Sequence, residues 1–148
     1  MKILSTLLHC ETQTDIELIN VTDQVQRLVD ESGIRQGHAL VFSCHTTTAL
    51  VVNEDEERLR VDIKAYLKKL APPTDRYLHN DLHLRVVPPD EPKNAHSHLM
   101  AMTLSNSEMI PIVDGKLALG TYQAILLVEL DGPRQRRLHV QVAGQREM

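Results

Sequence analysis

The sequence predicts an α+β fold: one domain over residues 1–148, made of layered, mainly antiparallel β-sheets with flanking helices. Three observations lead there. The second half of the chain is a succession of short apolar runs separated by turn signals. Two segments with helical spacing stand apart from those runs. A chain of 148 residues with 42% hydrophobic and 24% charged side chains has the size and make-up of one globular core.

Taken in order, "KILSTLLH" and "DIELINVT" alternate apolar and polar residues at about period two on either side of the polar "CETQT", which predicts two strands joined as a hairpin. Thr22 is placed to cap a helix with apolar positions at Val25, Leu28 and Val29, and Gly33 to end it. "HALVFS" and "TTALVVN" are strand material. They lead into a second helix with Asn53 as its N-cap and acids from Glu54 to Glu57 near its positive end. Its stripe runs through Leu59, Ile63, Tyr66, Leu67 and Leu70, and Pro72 and Pro73 stop it. After an irregular segment, "HLMAMTLS", "MIPIV", "KLAL", "TYQAILLVELD" and "RLHVQVAG" read as successive strands. Asp114–Gly115 supplies a two-residue hairpin turn and Asp131 to Arg134 a corner.

Composition narrows the function. Aromatic residues are 3% of the chain, with no Trp and one Phe, so base-stacking platforms are scarce. A formal charge of -4 and a basic cluster no longer than "RQRR" argue against nucleic acid as a partner. No apolar run approaches the roughly twenty residues that span a bilayer, and "MKILSTLLHCETQ" lacks the core and cleavage site of a leader. The expectation is a cytoplasmic protein with Cys10 and Cys44 as reduced thiols.

Three stretches carry residues suited to chemistry. "YLHNDLHLRVVPPDEPKNAHSHLM" holds His79, His83, His96 and His98, four of the eight histidines. Neutral imidazole is a common zinc ligand, and catalytic metal sites often use three protein ligands with one position left open. His96 and His98, two apart, share a face if this part is extended. The same segment also reads as a solvated loop. In "FSCHTTTALVVNEDE", His45 precedes Thr46, Thr47 and Thr48. Hydroxyls and backbone N–H groups suit phosphate or carboxylate, while His45 suits a metal or a proton. Cys44 lies beside His45, but neighbours on a strand point to opposite faces. In "PIVDGKLALGTYQAILLVELDGPRQRR", Gly120, Thr121 and Gln123 interrupt apolar character, consistent with close approach of a ligand or another subunit. Arg134, Arg136 and Arg137 offer bidentate contacts to phosphate.

Together "HTTTALVVNEDE", "YLHND", "NAHSHLMA", "IPIVDGKLALGTYQAI" and "ELDGPRQRR" resemble, in order and over nearly the whole chain, the YjbQ-like family, also called secondary thiamine-phosphate synthase enzymes. The resemblance implies layered sheets with flanking helices, a homotrimer, and a site lined by shared histidines. The activity it implies is the joining of a pyrimidine diphosphate to a thiazole phosphate with release of pyrophosphate. His45 matches the family's His-Thr motif, Asn53 and Glu54 its Asn-Glu pair, His79 the "YxH" histidine and His98 the histidine after "NAH". Gly120, Thr121 and Gln123 match "LGTWQ", with Tyr122 where Trp is usual, and Asn106 stands where Gly is usual. Catalytic roles are therefore expected for His45, Glu54, His79 and His98. Thr46, Thr47, Asn53, Thr121, Gln123 and Arg134 are expected to hold substrate or phosphate. His45, His79 and His98 are further expected to form a three-histidine site for a divalent metal, Zn or Mg. His83, His96 and His139 stand second in rank, His83 and Arg85 fall where the sequence departs from the family pattern, and His9 and His38 are expected at the surface or an edge. The other reading of the same residues is a non-catalytic trimeric module that binds a metal or an anionic metabolite.

Overall fold

In the computed structural model, which describes residues 1–146, strands β1 (Lys2–Glu11) and β2 (Glu17–Asn20) form where the alternation predicts them. They do not make a hairpin. β1 pairs with β8 (Gln135–Gln145), and β2 pairs with β7 (Ala124–Glu129) in a different sheet. The polar "CETQT" is a corner, since Thr12 N–H donates to Arg134 O and Gly132 N–H to Asp15 O. Those bonds lay it alongside the second corner, at Asp131 to Arg134.

β3 (Gln36–Ser43) and β4 (Thr48–Asn53) bend in the same way, β3 pairing with β8 and β4 with β7. A three-stranded antiparallel ribbon thus folds over at one corner line and becomes two sheets, an arrangement typical of strands that switch sheets. One sheet has the order β2-β7-β4. The other gains β5 (Ser107–Val113) and β6 (Lys116–Leu117) at its edge and reads β1-β8-β3-β5-β6. The β5–β6 turn is the predicted one, with φ of 51° at Asp114 and 79° at Gly115.

Between the sheets lie Val41, Ile110, Leu138 and Val140 from one side and Leu50, Ile125 and Leu127 from the other, closed off by Val25 and Val29 of α1 (Thr22–Ser32). The opposite face of the smaller sheet carries Ala49, Leu126 and Val128 against Leu67 of α2 (Glu57–Leu70) and Met100 and Ala101 of α3 (Ala95–Thr103). β7 is therefore buried on both faces, which is why its sequence runs apolar without alternation.

Four local expectations are corrected. Thr22 is not the cap of α1: Val21 holds that position, and the Thr22 hydroxyl accepts from Ile125 N–H at 2.9 Å. Gly33 does end the helix, at φ 72°. Glu56 caps α2 in place of Asn53, its carboxylate accepting from the backbone of Arg58 and Leu59. Of the α2 stripe only Leu67 is fully buried, with Tyr66 and Leu70 exposed. "HLMAMTLS" is not a strand but most of α3. Ala, Leu and Met favour a helix, and the positions it buries from Ser97 onward, Met100 and Ala101, follow at three and four. The outer face of the larger sheet stays partly apolar, with Ile3, Leu7, Phe42, Met109 and Val113 exposed.

Candidate functional site

The corner line gathers chemistry because three bends converge there. Glu129, the last residue of β7, is fully buried and meets the buried Arg136 of β8 in a two-pronged pair, Nε to Oε1 at 2.8 Å and Nη2 to Oε2 at 2.6 Å. Thr12 donates to Oε1 at 2.7 Å, and the N–H groups of Leu130 and Asp131 donate to Oε2. Burial alone would raise the Glu129 pKa. Hydrogen bonds from Arg136, Thr12 and Asp131, with the Arg136 charge, outweigh it and hold the carboxyl below its usual range. Arg136 Nη2 also donates to Thr47 Oγ1 at 2.8 Å, so the buried pair fixes the β3–β4 bend.

That bend carries His45, Thr46 and Thr47, which line a cleft of about 490 Å³ together with His98 and Arg134. Arg137 N–H donates to His45 Nε2 at 2.8 Å. The bond assigns the neutral tautomer with its proton on Nδ1, leaving Nδ1–H as the free donor of the ring. The three hydroxyls diverge: Thr46 is exposed, Thr47 is pinned by Arg136, and Thr48 turns inward to bond Ser43. Arg134 pairs with Asp131 at 3.1 Å, and Asn94 Nδ2 donates to the same carboxylate at 2.7 Å.

His98 reaches the cleft from α3 and lines it beside Thr46. On a helix His96 and His98 diverge, so the shared face expected of an extended segment is not formed. His79, in a single helical turn (Leu78–Asn80), meets the His98 ring edge to face at 4.8 Å between centroids. His79 Nε2 and His96 Nδ1 are buried without a hydrogen-bond partner. His83 is exposed, Arg85 donates to His79 O, and His9, His38 and His139 are exposed on the larger sheet.

The remaining expected residues lie elsewhere. Asn53 pairs in register with Ala124, five residues along from the Thr48–Glu129 pair at the cleft end, or about 17 Å at strand rise. Asn53, Glu54, Thr121 and Gln123 are exposed at that far end. The Gln123 side chain closes its own turn by accepting from Gly120 N–H at 2.8 Å. His45 and His98 share the polar cleft and His79 touches His98, but among the described residues no three His, Cys, Asp or Glu side chains are grouped to hold a metal ion. Sequence reasoning missed Thr12, Asn94, Asp131 and Glu129. The signal for Glu129 was present: one acid in a strand buried on both faces requires a cation, and Arg136 follows seven residues later.

His45, His96 and His98 are all held below the ordinary histidine pKa. Burial is the main cause at each, joined at His45 by the charges of Arg136 and Arg137 and at His98 by His79. Glu129, Asp131 and Asp15 oppose it in part. The unfolded chain then binds more protons than the folded one. Their contribution to stability is complete above about pH 6.5 and declines as pH falls through the lower folded values. The urea midpoint is expected to drop between pH 7 and 5, and the drop should be shallower in His98→Gln. Equal slopes in the two proteins would remove His98 from this account.

A family model described as UPF0047 protein YjbQ-like matches residues 6–145. A UPF0047 protein of Methanothermobacter thermautotrophicus is 40% identical over 144 residues, covering 97% of this chain and 94% of that protein. One from Archaeoglobus fulgidus is 45% identical over 133 residues, 90% and 96% of the two chains. Among solved structures, a YbjQ-like protein of unknown function from Sulfolobus solfataricus superposes with a TM-score of 0.87 at 39% identity, covering 97% of this chain and 99% of that one. A hypothetical protein from Aeropyrum pernix gives 0.87 at 34% identity, covering 96% and 99%.

Proposed function

Because the chain belongs to the YjbQ-like family, we propose that it is an enzyme acting on phosphorylated small molecules, with thiamine-phosphate synthase-like condensation as its reaction. The observation that carries this reading is the donor set at the corner. His45 Nδ1–H, held by Arg137, stands with the Thr46 and Thr47 hydroxyls and the Arg134 guanidinium around one cleft of about 490 Å³, whose lining also includes Asp90, Glu91 and Asp131, the last paired with Arg134. That volume suits a small ligand, and such donors suit phosphate oxygens. In the condensation the thiazole nitrogen forms a C–N bond to the pyrimidine's exocyclic carbon. The C–O bond to the diphosphate breaks, and pyrophosphate leaves with the electron pair. The chain's part is to hold both phosphate groups and to stabilise charge building on the leaving group.

His45→Ala and His98→Ala are each expected to lower thiamine phosphate formation by about a hundredfold or more with the circular dichroism spectrum unchanged. Undiminished turnover in both would end the assignment. The same reading includes a cytoplasmic homotrimer in which the outer face bearing Ile3, Leu7, Phe42 and Met109 is covered. Light scattering on the purified chain tests it.

A second reading, a non-catalytic module that binds a divalent metal or an anion, is favoured by the two buried unpartnered imidazole nitrogens of His79 and His96. Among the described residues the side chains as arranged bring no three such ligands together, so metal binding would need them to move. Zinc bound at one equivalent without turnover, and lost in His79→Ala, would favour it.

A further inference from the structure

Asn94 stands at the N-cap position of α3, yet its side chain does not cap the helix. Asparagine is favoured there because its side-chain oxygen accepts a free backbone N–H of the first turn, an arrangement worth about 1 kcal/mol. Here that oxygen is buried with no hydrogen-bond partner, and the first N–H of the helix, that of Ala95, donates to Asn80 Oδ1 at 3.1 Å instead. Asn94 is only 6% exposed, so water does not relieve the unpaired oxygen, which costs about 1–3 kcal/mol. A local preference given up in this way is characteristic of a side chain that serves a site.

The amide is turned to the corner. Asn94 Nδ2 donates to Asp131 Oδ2 at 2.7 Å, the same oxygen that accepts from Arg134 Nη2 at 3.1 Å. Arg134 Nε donates to Asp131 O at 2.8 Å, so Asp131 holds one side of the guanidinium fork and leaves the rest for a ligand. The main-chain carbonyl of Asn94 accepts from Ser97 N–H at 3.0 Å and from His98 N–H at 3.3 Å, and Ser97 Oγ donates to Leu130 O at 2.6 Å. One buried residue therefore joins the carboxylate that holds Arg134 to the helical turn that carries His98, and both of those side chains line the corner cleft. The position calls for a neutral donor. A lysine would compete with Arg134 for Asp131, and a carboxylate would repel Asp131, whereas an amide adds an N–H and leaves the charges as they are.

We infer that Asn94 is a positioning residue of the anion site: it fixes Asp131, and through Asp131 it sets the direction in which Arg134 presents its free N–H groups to a phosphate that His98 also meets. This rests on the anion-site reading above and adds to it the residue that aims the site's cation.

Calorimetry with inorganic pyrophosphate tests it. Asn94→Leu keeps the shape of the side chain and removes both the donor and the unpaired oxygen. It should therefore unfold at a temperature close to that of the wild type and yet bind pyrophosphate about five- to tenfold more weakly. In an Arg134→Ala background the same change should have no further effect, because its route to the ligand is gone. Asn94→Asp regains a donor only when the new acid is protonated, and burial beside Asp131 raises the pKa of that acid. Its affinity relative to wild type should then be lowest at about pH 8 and recover most of the loss at about pH 5.5, a profile that a merely structural role would not produce. Wild-type affinity in Asn94→Leu, an equal loss with and without Arg134, or an Asn94→Asp ratio that does not change with pH would overturn the role of Asn94 while leaving the anion site standing. Should Asn94→Leu fail to fold, the pH dependence of Asn94→Asp decides alone. Failure of the wild type to bind pyrophosphate would overturn the anion site and this inference with it.

Discussion

Glu129→Gln is expected to lose about 3–5 kcal/mol of folding free energy, because it strands the Arg136 guanidinium in a buried corner with no counter-charge. For a chain of this length that lowers the thermal midpoint by roughly 10 °C or more. Arg136→Ala should be as severe, since the Glu129 carboxylate then keeps Thr12 and two backbone donors but loses its cation. The double variant Glu129→Leu/Arg136→Met should recover much of the loss, as replacement of buried ion pairs by apolar side chains often does. Denaturant unfolding of the four proteins checks it. A double variant no more stable than the worse single variant would overturn the coupling of the pair. The pH sign runs with this: Glu129 is held below its usual value, so its contribution is complete above about pH 4.5. It is lost as pH falls through the lower folded value. Because Arg136 also holds Thr47, any residual fold in these variants should bind phosphate more weakly than wild type.

The second large effect is expected at the facing glycines of the larger sheet. Gly37 and Gly144 pair across β3 and β8, and neither has room for a methyl group. A Cβ on Gly37 would lie 1.9 Å from Ala143 O and 2.7 Å from Gly144 Cα. One on Gly144 would lie 2.1 Å from Gln36 O and 2.7 Å from Gly37 Cα, and Gly144 also has a φ of 155°. The obstacles are backbone atoms, which cannot rotate away. Gly37→Ala must therefore separate β3, the central strand of a five-stranded sheet, from β8, and about 4 kcal/mol or more of destabilisation is expected, with little soluble protein. Gly115→Ala is the contrast. Its φ is 79°, but its neighbour is the flexible Arg35 side chain at 3.2 Å, so about 1–2 kcal/mol is expected. Comparable soluble yields and midpoints for Gly37→Ala and wild type would refute the close-approach argument.

The class of fold was legible because strand alternation, turn residues and the α2 pattern are local. The pairing was not. "CETQT" has the polarity of a hairpin turn, and only the bonds it makes with a corner more than a hundred residues away show it to be a bend between sheets. α3 was misread because His98, Met100 and Met102 imitate alternation, while the helix preference of Ala, Leu and Met was the sounder guide. At the site, His45, Thr46, Thr47, His98 and Arg134 were all found in sequence and meet in space. Asn53, Glu54, Thr121 and Gln123 were found by the same resemblance and stand at the other end of the β4–β7 pair. A motif fixes which residues occur together along the chain, and strand register decides which of them meet.

Residue 2 pairs with residue 144, and the ten positions of β1 have β8 as their partner along their whole length. During synthesis at about 5–20 residues per second, "KILSTLLHCE" emerges seconds before any part of its partner exists. β2 likewise waits for β7, and β3 for β5 and β8. The nascent chain therefore carries an unpaired, β-prone segment for nearly the whole of translation. Closing its first sheet is a late and long-range event, which places this small protein among the slower folders of its size and exposes it to the cell's holding chaperones before it has any site at all.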